Sequence, residues 1–175
     1  ADLEVKDLED ADWESAWKVH FTLLKIGSTL VIKPAWIDYE PEPHEVVIEL
    51  DPGMAFGTGY HPTTRMCLEA LEGQLRPGMD VLDLGTGSGI LSIAAVRLGA
   101  GSVVALDLDS NAVTAARKNF RTGGVKRMVR LARGTLPHHL APERRFDLAV
   151  TNISSRVVMQ QAEHLHPAIK PGGTL

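Results

Sequence analysis

The sequence predicts an α/β domain built on a doubly wound, mostly parallel sheet, and three observations carry this. From residue 80 onward, strand-length apolar runs alternate with helix-length stretches, the pattern of parallel strands joined by helical crossovers. The run Val81-Leu82-Asp83-Leu84 ends in Gly85-Thr86-Gly87-Ser88-Gly89, and an apolar helical stretch follows. A strand, a glycine-rich turn and a helix N-terminus in that order suit a nucleotide-like ligand. Asp107 closes the next strand about twenty residues beyond the glycines, where a carboxylate can accept both hydroxyls of a ribose.

Taken in order, residues 10–20 predict a short helix, with Trp13, Ala16, Trp17 and His20 at helical spacing. Residues 30–33 and 46–50 predict strands separated by a stiff, proline-bearing connection. Together they are expected to make a hairpin-like lead-in over residues 1–50, before a main domain at 51–175. Residues 51–61 are rich in Gly and Pro and resist regular structure. Pro62 suits the first turn of a helix, because its missing N–H would be unpaired there anyway. That helix is expected to run to about Glu72, with Gly73 as its stop. Phe56, Thr58, Thr63 and Thr64 then offer a ligand stacking and hydrogen bonds together.

The main sheet is expected to use residues 80–84, 102–107, 128–132 and 146–153 as its first four strands. Helices at 89–98, 111–121 and about 155–165 join them. Ser110 is expected to cap the second of these helices, and Gly123-Gly124 to end it. Lys170-Pro171-Gly172-Gly173 predicts a turn, after which Thr174 would begin a fifth strand. Right-handed crossovers bring the glycine turn, Asp107 and Asn152 to one edge of the sheet.

The glycine spacing is G-x-G-x-G, with Ile90 where a dinucleotide fold would place its third glycine. Asp83, ahead of the first glycine, would repel a phosphate and pair with an ammonium. A ligand with a ribose and a cationic amino-acid end is S-adenosylmethionine, so this cofactor is expected at Asp83, Gly85, Gly87 and Asp107. The same spacing disfavours nicotinamide chemistry.

Bulk composition narrows the function further. A net charge of −4 gives no broad basic field, so direct nucleic-acid binding is not expected. Cys67 is the single cysteine, which excludes an internal disulfide, and its apolar neighbours suggest a core thiol. No apolar run has the length of a membrane span, and the acidic start lacks a signal region, so a cytoplasmic protein is expected. His138-His139 has no acidic or Cys partner at ligand spacing, so no metal is expected.

A longer stretch, Leu50-Asp51-Pro52-Gly53-Met54-Ala55-Phe56-Gly57-Thr58-Gly59-Tyr60-His61-Pro62-Thr63-Thr64, resembles the signature of the ribosomal protein L11 methyltransferases, the PrmA family. Trp17-Lys18, Ile26-Gly27, Pro34-Ala35-Trp36 and Asn152-Ile153 fit the same family. The resemblance implies a Rossmann-like class I methyltransferase that transfers methyl groups from S-adenosylmethionine to lysine side chains and the α-amino group of a ribosomal protein. It implies that Thr64, Gly85, Asp107 and Asn152 contact the cofactor and that Phe56 belongs to a loop closing over it. Asn152 is the expected catalytic residue, its side-chain carbonyl aiming the amine. The sequence departs from the family at Tyr60, where Thr is usual, which is expected to rearrange the loop. The family pattern also has an amino-terminal recognition domain and further strands after the fifth, so a shortened or partial member is expected. Alternatives are a different protein or small-molecule amine as target, or cofactor binding without catalysis.

Overall fold

The computed structural model describes residues 21–51 and 57–175. The expected first helix, with Trp13 and Trp17, and Phe56 lie outside the described residues. The elements in chain order are β1 (Leu24–Ile26), β2 (Leu30–Pro34), β3 (Val46–Leu50), α1 (Pro62–Gln74), β4 (Asp80–Leu84), α2 (Ile90–Arg97), β5 (Ser102–Asp107), α3 (Ser110–Thr122), β6 (Val129–Arg133), β7 (Phe146–Thr151), α4 (Ser155–Ala168) and β8 (Ile169–Thr174).

The main sheet has the order β6-β5-β4-β7-β8, with every pairing parallel. Successive residues of β4 and β5 alternate between its two faces. Val81, Val103 and Ala105 join one hydrophobic cluster, whereas Leu82, Leu84, Val104 and Leu106 join another. Both faces are therefore covered, as a parallel sheet requires. Each fully buried Leu or Ile contributes about 1.5–3 kcal/mol by leaving water. From β4 the chain winds outward through β5 and β6, then returns to lay β7 on the other side of β4. The switch point between β4 and β7 is where an open sheet of this kind binds ligands.

The lead-in differs from its expected form. β2 and β3 pair in parallel, and the hairpin is instead β1 with β2. β1 is only three residues long, too short for alternation to reveal it. The carboxylate of Glu72 fixes the β1–β2 turn, accepting from the backbone of Ser28 (2.9 Å) and from the backbone and hydroxyl of Thr29 (both 2.6 Å). Ile26, Leu30, Ile32, Ile48 and Leu50 from this sheet share one cluster with Leu68, Val81 and Ile90 of the main body.

Other differences have local causes. Helix α1 runs through Gly73, which faces open space, and ends where the N–H of buried Leu75 bonds the carbonyl of Leu71. Asp109, not Ser110, caps α3, its carboxylate accepting from Asn111 N at 2.8 Å. Helix α4 continues to Ala168, past the expected end, and carries Pro167 in its last turn. The expected turn at Lys170-Pro171-Gly172-Gly173 lies inside β8. Phe146 pairs with Ile169 and Leu148 with Thr174, so three extra residues bulge from β8 between these pairs. Pro171 has no N–H to give the ladder, and Gly172 has φ +82°. Cys67 is half-buried rather than fully buried, and burial pushes its thiol pKa up. Among the described residues, no helix is long and apolar enough to cross a membrane.

Candidate functional site

Strand β4 delivers the glycine turn to the carboxyl edge of the sheet. Gly85, Gly87 and Gly89 have φ of +79°, +56° and +86°, in the left-handed region that glycine adopts without strain. A Cβ on Gly85 would lie 2.3 Å from Cγ2 of Ile153, so the turn and the end of β7 interlock. At Gly89, the first residue ahead of α2, a Cβ would lie 2.5 Å from the Phe120 ring. Gly85 and Thr86 donate their N–H groups to the Leu106 carbonyl, at 2.8 and 3.0 Å, which fastens the turn to β5.

Asp107 ends β5 beside this turn. Its Oδ2 accepts from Gly87 N at 2.8 Å and its Oδ1 from Asp109 N at 3.0 Å. Each carboxylate oxygen has a further lone pair to offer, and Asp107 is only half-buried. A cleft of about 670 Å³ opens here, lined by Gly85, Gly87, Asp107, Lys118, Asn152 and Ile153 among others. That volume suits a cofactor-sized molecule. A larger hollow of about 800 Å³ between α4 and β8 contains none of the expected site residues.

Asn152 comes directly after β7, at the switch point. Its Nδ2 donates to the hydroxyl of Thr64 at 3.0 Å. Thr64 is fully buried in the first turn of α1, so it stands behind Asn152 and steers the amide. The side-chain carbonyl of Asn152 is left for another partner. Thr63 sits apart from the cleft lining, its hydroxyl 2.7 Å from Nδ1 of His61, whose ring caps the helix through Thr63 N.

Asp83 does not line the cleft. It is fully buried beneath the turn, where Thr86 (2.7 Å) and Ser92 (2.6 Å) both donate hydroxyl hydrogens to its Oδ2. Its Oδ1 is buried with no protein partner among the described residues. Burial pushes its pKa up to about 6, against the opposing pull of the Ser92 and Thr86 hydrogen bonds. Asp83 therefore braces the turn from beneath through Thr86 and Ser92, instead of meeting a ligand's ammonium as its place ahead of Gly85 predicts.

Tyr60 points away from the cleft, and its hydroxyl reaches the backbone of Thr22. Sequence reasoning left out the part of the cleft wall formed by α3, where Asn111, Ala112, Thr114, Ala115 and Lys118 face it. The signal was their three- and four-residue spacing after Asp109, which marks one helix face.

Two ties bracket residues 52–56. Asp51 N donates to Oδ1 of buried Asn119 at 3.0 Å, and Nδ2 of Asn119 donates to the Ser88 carbonyl at 2.9 Å. On the far side, the Ser88 hydroxyl donates to the Gly57 carbonyl at 2.5 Å. Both ends of the segment that carries Phe56 thus rest on the glycine turn.

The parallel order, the switch-point cleft and the strand-end carboxylate together define a Rossmann-like fold of the methyltransferase class. The family model described as "Ribosomal protein L11 methyltransferase (PrmA)" matches residues 1–175, and the chain belongs to that family. It is 44% identical to a ribosomal protein L11 methyltransferase of Chloroflexus aurantiacus, covering 99% of this chain and 60% of the relative. It is 48% identical to the protein of that name from an Exiguobacterium species, covering 98% and 54%. The crystal structure of a ribosomal protein L11 methylase from Lactobacillus delbrueckii subsp. bulgaricus superposes with a TM-score of 0.79 at 34% identity, over 87% of this chain and 77% of that one. A methyltransferase of Thiobacillus denitrificans, solved with S-adenosyl-L-homocysteine, shares the fold at 24% identity and a TM-score of 0.56, over 70% of this chain and 50% of that one. The chain spans just over half the length of the curated relatives it matches.

Proposed function

We propose that this chain carries the cofactor-binding and methyl-transfer part of an S-adenosylmethionine-dependent N-methyltransferase whose substrate is ribosomal protein L11. The amines it methylates are lysine side chains and the α-amino group. The observation that carries this reading is the arrangement of Gly85, Gly87 and Asp107 on one wall of the cleft with Asn152 beside them. The names of the relatives supply the substrate.

The bound cofactor would supply an activated methyl group on a sulfonium, so no residue need generate an electrophile. The chain's own groups orient. Asp107, already fixed by two backbone N–H groups, offers its remaining lone pairs to ribose hydroxyls. The open backbone at Gly85 and Gly87 allows close approach. Asp83, beneath the turn and outside the cleft, would act on the ammonium end only through its charge, while Thr86 and Ser92 hold it in place. Thr64 holds Asn152 so that its carbonyl oxygen accepts an N–H from a neutral substrate amine and aims the nitrogen lone pair. Water takes the released proton, and no strong base is needed.

Asn152→Ala is expected to lower labelled-methyl transfer by about a hundredfold, through lost orientation, while the melting temperature moves little. Full turnover in that variant rules out the role. Mass spectrometry of ribosomal proteins incubated with the enzyme and S-adenosylmethionine tests the substrate, which must gain methyl mass on lysines and at the N-terminus. A second reading, cofactor binding without turnover in this chain alone, is favoured by the partial coverage of the relatives. Calorimetric binding of S-adenosylmethionine with no methyl transfer would decide for it.

A further inference from the structure

The Tyr60 hydroxyl accepts from the backbone N–H of Thr22 at 2.6 Å and donates to the backbone carbonyl of the same residue at 2.7 Å. One side chain thus serves both main-chain groups of an exposed residue, groups that water would otherwise satisfy. The Phe21 ring meets the Tyr60 ring edge-on, with centroids 5.2 Å apart. Thr22 lies just ahead of β1, so the clamp joins the lead-in sheet to the stretch that enters α1. A shorter hydroxyl such as threonine's ends one bond past Cβ and cannot span the gap.

The chain is stiff on the carboxyl side of Tyr60. His61 caps α1 through its ring, Pro62 occupies the first helical position, and Arg65 N bonds the His61 carbonyl at 3.2 Å. Thr64, in this same turn, is the residue to which Asn152 donates. The amino side of Tyr60 is also pinned. Gly59 has φ +89°, and a Cβ there would lie 2.6 Å from Cδ1 of Ile32 in β2. The segment from 59 to 64 is therefore tied to the lead-in sheet at Gly59 and at Tyr60.

We infer that Tyr60 is a positioning residue: its grip on the Thr22 backbone fixes where α1 begins, and through Thr64 it sets the orientation of the Asn152 side chain. Its effect on catalysis rests on the reading of Asn152 as the amine acceptor. Its effect on Asn152 itself does not.

Tyr60→Phe keeps the ring and its contact with Phe21 and deletes only the hydroxyl. In this variant, hydrogen exchange at the Thr22 amide is expected to speed up about tenfold, because the amide loses its acceptor. The side-chain amide resonances of Asn152 are expected to shift. Labelled-methyl transfer should show kcat reduced severalfold with the KM for S-adenosylmethionine within about twofold of the parent, since only the orienting interaction is disturbed. Tyr60→Thr, which has a hydroxyl but no reach, should behave as Tyr60→Phe does. Unchanged exchange at Thr22 overturns the clamp, and unmoved Asn152 resonances overturn the coupling. If those resonances move while Asn152→Ala retains full turnover, the coupling stands and the amine-accepting role of Asn152 is what fails.

Discussion

The glycine turn after β4 and the lead-in sheet of β1 to β3 are adjacent and share a core, yet they are held by opposite means. Backbone groups and two carboxylates of very different surroundings hold the turn. Asp107 at the rim takes two N–H groups, whereas Asp83 beneath it is buried with one oxygen unpaired among the described residues. The lead-in relies on side chains. Glu45 takes Lys25 at 2.6 Å, the Tyr39 hydroxyl, and the backbone N–H of Glu42 at 2.9 Å, while Glu72 holds the β1–β2 turn. Burial raises the pKa of Asp83 to about 6, whereas hydrogen bonds to Lys25 and Tyr39 lower that of Glu45 to about 2. A ligand site keeps polar groups short of partners so that a ligand can complete them. A scaffold completes its own.

The contrast is most sharply broken at Gly85. Gly85→Ala forces a methyl into Ile153 at a left-handed backbone position. Strain of about 1–3 kcal/mol adds to the steric displacement, so S-adenosylmethionine affinity should fall by well over tenfold with a lower melting temperature. Titration calorimetry and a melting curve check both. Next in size, Glu72→Gln leaves the β1–β2 turn with weaker acceptors, at an expected cost of about 1–2 kcal/mol. Urea unfolding measures it, and cofactor affinity should stay unchanged because Glu72 does not line the cleft.

The smallest effects are in pH. Between its folded pKa of about 6 and the ordinary carboxylate value of 3.8, Asp83 holds a proton in the folded chain that the unfolded chain has lost. Its contribution therefore makes the fold more stable as pH drops from about 6 towards 4. Glu45 acts the other way. Its contribution is present above 4.5 and is lost as pH falls towards 2. Asp83→Asn should flatten the upper window, and Glu45→Gln the lower one, in urea midpoints measured across pH. The Glu45 effect is the weaker of the two, because its ion-pair partner Lys25 is largely exposed to solvent.

The strongest periodic signals in the sequence read true. Residues 80–84 and 102–107 form strands at the expected bounds, and the Gly85–Gly89 turn leads into a helix as expected. The doubly wound parallel sheet read true as well, but the lead-in pairing and the form of β8 did not. β1 is too short to show alternation, and the parallel pairing of β2 with β3 depends on packing against α2 and α3 that no window of sequence contains. The bulge in β8 appears locally as a turn because Pro171 and Gly172 do make one, within a strand. At the site, the spacing of Gly87 and Asp107 anticipates their pairing. Local pattern sets Asp83 against the ligand, whereas its burial depends on Thr86 and Ser92 folding back over it. The part played by Thr64 depends on Asn152, 88 residues away.

The ties from Asp51 to Asn119 and from Gly57 to Ser88 converge on one residue, because Asn119 also donates to the Ser88 carbonyl. Ser88 is thus a common anchor, its carbonyl serving one tie and its hydroxyl the other, and a change there reaches Asp51 and Gly57 alike.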